Sequence, residues 1–93
     1  MRVQHDSDRG RFFATLEHGE AELTYEWVDD STVAFTHTYV PRQDRKHGEG
    51  ARIVLHALDW AKENGLSVIP SCPFVPRVLA EHPEYQDLEA SRF

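Results

Sequence analysis

Cys72 is the only cysteine in the chain. It follows a short apolar run, precedes Pro73 and opens the turn into a second helical stretch. A thiolate at such a point is a nucleophile able to carry a covalent intermediate. A helix N-terminus beside it would lower its pKa. A buried cysteine that serves only as a small hydrophobe is the other reading. His37 is a candidate general base, because a reference pKa of about 6.5 suits proton removal near neutrality. A histidine hydrogen-bonded within a sheet is its alternative. A third chemistry lies in residues 40–54, "VPRQDRKHGEGARIV". Gly48 and Gly50 stand just ahead of a helical pattern, with Arg45, Lys46 and Arg52 around them. The first N–H groups of a helix lack internal partners. The helix dipole adds partial positive charge there, and small residues such as Gly48, Gly50 and Ala51 admit a phosphate. The stretch therefore predicts an anion site, with a helix start carrying flexible glycines and solvated charges as its plain alternative. It is neither a P-loop, since Ala51-Arg52 follow Gly50, nor a dinucleotide fingerprint, since Ile53 stands where a third glycine is needed.

The elements that must position these groups are legible in the periodicity. "RFFATLEHGEAELTYEW" reads as a hairpin, with Phe12, Ala14 and Leu16 alternating on one strand and Ala21, Leu23, Tyr25 and Trp27 on the other. "TVAFTHTYV" is a third strand, ended by Pro41. Strict alternation puts Val33, Phe35, His37 and Tyr39 on one face. It puts Ala34, Thr36, Thr38 and Val40 on the other. Residues 1–5 are a possible short first strand. Residues 50–64 form the clearest helix, with Ile53, Val54, Ala57, Leu58 and Ala61 as its apolar stripe and Gly65 as a left-handed cap. "LSVIPSC" is a short strand, residues 74–82 a second helix, and "HPEYQDLEASRF" a tail of no assigned structure. The order predicts an α+β fold: an antiparallel meander followed by helix, strand and helix.

Composition bounds the function. The 93 residues predict a single domain spanning 1–93. A formal net charge of -6 argues against broad binding to nucleic acid or anionic membranes. Yet Arg42, Arg45, Lys46 and Arg52 are 4 of the 10 Lys and Arg residues, and they fall in one stretch. That asymmetry suits a small anionic ligand. No signal peptide or membrane-length apolar run is present, so a cytoplasmic location is expected. His5, His18, His47, His56 and His82 show no metal-ligand spacing, and no metal is expected. Glu20, Glu22 and Glu26 read as a solvated strand face or as an acidic surface for an amine.

Arg45-x-x-Gly48-x-Gly50 resembles the Q/R-x-x-G-x-G/A motif of the GNAT superfamily of N-acetyltransferases. The chain is similar, more closely, to its small single-domain members. "AELTYEW", "FTHTYVP", "RKHGEGA", "LDWAKENGLSVIPSCPFV" and "EHPEYQDL" stand in family order. The resemblance implies a compact GNAT-like fold in which acetyl-CoA, the acetyl donor, lies where residues 33–40 and 66–71 splay apart. Backbone near Thr38, Tyr39 and Val40 would bind the pantetheine arm. Backbone amides and side chains of Arg45, Lys46, His47, Gly48, Glu49, Gly50, Ala51 and Arg52 would bind the phosphates. Cys72 would take up the acetyl group and His37 would act as base. The implied activity is N-acetyl transfer to an amine, on a small molecule or a protein lysine, by a monomer or weak homodimer. A non-catalytic acyl-CoA-binding module is the alternative. Lys46 stands where such proteins often have glycine. Val78 stands where many GNAT enzymes carry a tyrosine that protonates the CoA thiolate; Tyr85 lies beyond His82-Pro83, and Tyr39 is on the third strand.

Overall fold

Alternation of buried and exposed side chains makes the sheet one-sided. The computed structural model describes residues 2–89, apart from the side chains of Lys46 and His47. In β2 (Arg11–Leu16) Phe12 and Ala14 are buried, and in β3 (Gly19–Asp29) Ala21, Leu23 and Tyr25 are. The outer face of the same strands carries Arg11, Phe13, Glu20, Glu22 and Thr24. There Arg11 lies 3.0 Å from Glu20 and 2.7 Å from Glu22, and its guanidinium stacks over Phe13. With β1 (Gln4–Asp6), β4 (Thr32–Tyr39) and β5 (Ser67–Pro70), these strands form one sheet in the order β1-β2-β3-β4-β5. The first three pairings are antiparallel, and β4 runs parallel to β5.

A parallel pair needs a crossover, and α1 (Glu49–Glu63) supplies it between β4 and β5. Its Ile53, Val54, Ala57, Leu58 and Ala61 are fully buried in one core with Leu23, Val33 and Phe35. Burying each large side chain contributes about 1.5–3 kcal/mol. The helix ends as its glycine predicts. Gly65 has φ 66°, its N–H reaches the Lys62 carbonyl, and Leu66 N–H reaches that of Ala61 at 2.8 Å. This is a Schellman closure. The second helix, α2 (Phe74–Glu81), adds Val75, Val78 and Leu79 to the core. The segment left unassigned in sequence is a 3-10 turn over Pro83–Leu88. Tyr85 ties it to α1 by donating to Asp59 at 2.5 Å, and that bond pushes the Tyr85 pKa up to about 12. No helix among the described residues is long and apolar enough to cross a membrane.

The strict alternation expected of the third strand fails in its middle. Phe35 pairs with Tyr25 and His37 with Thr24, so Thr36 is an extra residue, a β-bulge. Beyond it the faces exchange. Thr38 opposes the buried Leu23 and turns inward, whereas Thr36 and His37 share the outer face with Thr24. The two hydroxyls of Thr24 and Thr36 meet there at 2.9 Å.

At the opposite edge of the sheet from β5, β1 closes an aromatic cluster. His5 stacks flat on Phe12 at 4.1 Å and meets the edge of Trp60 at 5.0 Å. Its Nε2 lies 2.6 Å from the Tyr25 hydroxyl. Desolvation in this cluster lowers the His5 pKa below its ordinary 6.5, against the smaller opposing pull of Asp6. The neutral ring then accepts the Tyr25 proton. Because the unfolded chain binds the proton more readily, this contribution is complete above pH 6.5 and is lost as pH falls towards the folded pKa. His5→Phe should therefore lose less stability than the native chain when denaturation is measured at about pH 7.5 and then about pH 5.5. An unchanged pH dependence would contradict this account of His5.

Candidate functional site

The β4–β5 pairing runs from Thr32↔Ser67 to Phe35↔Pro70 and stops, while β4 continues to Tyr39. The bulge at Thr36 sits at the point of separation. The Phe35 carbonyl closes the inner end, accepting from the N–H of both Ser71 and Cys72 at 3.1 Å. From there outward, the edge of β4 that faces away from β3 has no strand partner among the described residues. The gap opens into a cleft of about 480 Å³ lined by Thr38, Tyr39 and Val40 from the strand. Arg45, Gly48, Gly50 and Ala51 line it from the turn and helix start, and Phe74 and Arg77 from α2.

Each wall has a local cause. Pro41 ends β4, and residues Arg42–His47 wind into a 3-10 turn. Gly48 then takes φ 75°, a conformation that favours glycine, and starts α1. No side chain among the described residues caps this start, and the first N–H groups of a helix have no partner within it. Arg45 folds back, donating from Nε to the Val40 carbonyl at 2.8 Å, with its guanidinium 5.9 Å from the Tyr39 ring. Arg45 and Arg77 make no ion pair with a carboxylate among the described residues. Thr38 Oγ1 is buried without a hydrogen-bond partner among the described residues, and so is one carboxylate oxygen of Glu49. A donor or acceptor left unpaired in this way calls for a partner.

Seven of the residues expected to bind a ligand thus meet around one cleft: Thr38, Tyr39, Val40, Arg45, Gly48, Gly50 and Ala51. Glu49 and Arg52 belong to the same helix start but do not line it. The side chains of Lys46 and His47 lie outside the described residues. Cys72 is buried, 8% exposed, at the closed inner end of the strand split. His37 is exposed on the outer face of the sheet and does not line the cleft. Val78 is a core residue, 2% exposed, and Tyr85 is engaged by Asp59. Of the tyrosines considered, only Tyr39 lines the cleft. On the outer face, Arg11 compensates Glu20 and Glu22, which fits a solvated, ion-paired strand face better than an acidic docking surface.

Phe74 and Arg77 escaped the sequence reading. Their one signal was spacing: three residues apart, they share a helix face, and their side chains meet at 5.9 Å. Phe74 also changes the role of Gly50. A Cβ at Gly50 would lie 3.0 Å from the Phe74 ring and 3.3 Å from Val40. Glycine is needed there for the packing of α2 on α1, before any ligand is considered. Glu17, His18 and Asp44 also escaped: their donor atoms gather within 4.8 Å of one another behind the turn.

Comparison with known proteins adds to this geometry. A family model described as GCN5-related N-acetyl-transferase matches residues 11–88. Protein NATD1 of Xenopus tropicalis is 34% identical over 91 residues, covering 96% of this chain and 84% of its own. Protein NATD1 of Homo sapiens is also 34% identical, covering 96% and 80%. A GCN5-like protein from Staphylococcus aureus, solved by NMR, superposes with a TM-score of 0.77 at 26% identity, covering 99% of this chain and 90% of its own.

The two glycines of the turn should respond differently to substitution. Gly48→Ala meets no neighbour within 4 Å and bears only its backbone strain, about 1–2 kcal/mol. Gly50→Ala pushes into Phe74, so its cost should fall when Phe74 is shortened to Leu. A coupling of at least about 0.5 kcal/mol is expected in denaturant unfolding of the single and double variants. Strict additivity would remove Phe74 as the reason for Gly50.

Proposed function

The chain belongs to the GCN5-related N-acetyltransferase family, with the α+β fold of its GNAT-like members, and on that premise we propose that it uses acetyl-CoA to acetylate an amine. One observation carries the proposal: an unpaired strand edge and an uncapped helix start open into the same cleft. The pantetheine arm is an amide chain that can add to a strand edge as another strand would. The pyrophosphate is a dianion suited to helix N–H groups and to Arg45. The two requirements are met in the right order along the cleft. Phosphates at Gly48–Ala51 direct the arm inward past Val40, Tyr39 and Thr38, towards Phe35, Ser71 and Cys72. Thr38 Oγ1, buried and unpartnered, supports a polar ligand along that path. Phe74 and Arg77 would form the opposite wall.

In the proposed reaction a neutral amine attacks the thioester carbonyl. Free backbone N–H groups beyond the bulge stabilise the charge that develops on its oxygen. The amine loses a proton, the carbon–sulfur bond breaks, and the departing thiolate takes up a proton. Cys72 is the candidate for an intermediate acyl carrier: its thiolate would take the acetyl group, release CoA and pass the group to the amine. Its position at the closed end of the split supports this. His37, on the outer face of the sheet, is the candidate base. The protein would act as a single domain over 1–93, in the cytoplasm, as a monomer or weak homodimer.

A second reading is a non-catalytic acyl-CoA-binding module. The burial of Val78 and Cys72 and the absence of His37 from the cleft lining favour it.

Incubation with acetyl-CoA and a panel of amines separates the readings. The proposal expects CoA release above background, and mass spectrometry should find an acetyl adduct that Cys72→Ala lacks. Transfer undiminished in Cys72→Ala would exclude the covalent route. Tight binding with no release would establish the module instead, and no binding at millimolar CoA would end both.

A further inference from the structure

Asp44 is a buried carboxylate placed behind a turn that, on the reading above, receives phosphates. It is 7% exposed and is the one buried charged side chain among the described residues. An uncompensated charge there would be costly, so its partners matter. Asp44 Oδ2 accepts the backbone N–H of His18 at 3.1 Å, and Oδ1 lies 3.1 Å from His18 Nδ1. Both bonds cross from the turn to the tip of the β2–β3 hairpin. The main chain of Asp44 is fixed as well, its N–H donating to the Pro41 carbonyl at 2.9 Å. Pro41 in turn presses on the hairpin. A Cβ at Gly19 would lie 3.2 Å from its ring, and Gly19 has φ 144°, where a side chain is strained. Two independent contacts, one polar and one steric, therefore seat the turn on the hairpin tip. The next residue, Arg45, points to the cleft side and is held by Val40.

We infer that Asp44, anchored by His18 with Gly19 packed on Pro41, is a positioning residue that holds the turn Arg42–Gly48 in its anion-binding shape. The inference rests on the acetyl-CoA reading. Asp44 does not touch the ligand; it would only repel phosphates if it did. It fixes the segment that carries Arg45 and the helix-start amides, so that the ligand need not order it. Removing the latch should transfer that ordering to the binding step, at a cost of the order of tenfold in affinity. The loss should be confined to ligands that reach the turn.

The test compares CoA with pantetheine, which lacks the nucleotide and its phosphates and would engage only the strand edge. Binding of each is followed by NMR titration of the full chain. Asp44→Ala should raise the Kd for CoA about tenfold and leave that for pantetheine unchanged. Asp44→Asn keeps an oxygen for the His18 N–H and should recover most of the loss. His18→Ala, a change at an exposed side chain, removes the ring contact alone and should weaken CoA by about threefold with pantetheine again unaffected. His18→Ala carries the decision if Asp44→Ala does not fold. Native CoA affinity in these variants, or equal losses for CoA and pantetheine, would overturn the latch. Failure of the native chain to bind CoA would instead overturn the cofactor reading, and the latch with it.

Discussion

One extra residue in β4 governs what the sheet can do. With Thr36 bulged opposite Thr24, the strand changes which face it shows halfway along. Before the bulge, Val33 and Phe35 anchor the core; after it, Thr38 and Val40 turn inward instead. The same irregularity coincides with the end of pairing to β5 at Phe35↔Pro70. β5 ends at the same point, at Pro70, and the chain turns away into α2. Beyond it the edge of β4 is open, and a backbone edge left open inside a fold requires a partner. The inward turn of Thr38 and the place of His37 on the outer face both follow from this one register shift.

The second constraint is close packing at the start of α1. Gly50 lies against Phe74 and Val40, so the helix that offers its N–H groups to the cleft is held by the helix that forms the opposite wall. Behind it, the turn is fastened to the hairpin through Asp44 and to β4 through Arg45. Arg45 and Arg77 therefore line the cleft, while the Asp44 carboxylate sits behind the turn against His18. In a chain of net charge -6 this local arrangement matters more than the total. At physiological salt, screening confines attraction to about 8 Å, so a ligand responds to the arginines beside it rather than to distant acids.

Much of this was legible in the sequence, and the remainder failed for physical reasons. The hairpin, α1 and its Gly65 cap were readable because local periodicity and backbone chemistry determine them. The glycine turn was readable as a helix start for the same reason. The bulge was not: nothing in "TVAFTHTYV" marks Thr36 as extra, because register is decided by pairing with β3. Strict alternation consequently put His37 on the same face as Val33 and Phe35, from which the bulge removes it. Gly50 was read as room for a phosphate, whereas its neighbour is a ring more than twenty positions along the chain. Phe74, Arg77, His18 and Asp44 come together only through tertiary contacts, which composition and spacing do not encode.

The central claim is that the open edge of β4 and the free start of α1 form one ligand-binding surface. Amide-resolved NMR during titration with CoA tests it most directly. The account predicts that the N–H signals of Gly48, Glu49, Gly50 and Ala51 move together with those of Thr38 and Val40, along a single binding curve. Signals from β1 and the aromatic cluster around His5 should stay in place. Shifts restricted to the helix start, or centred on the outer face of the sheet, would contradict it.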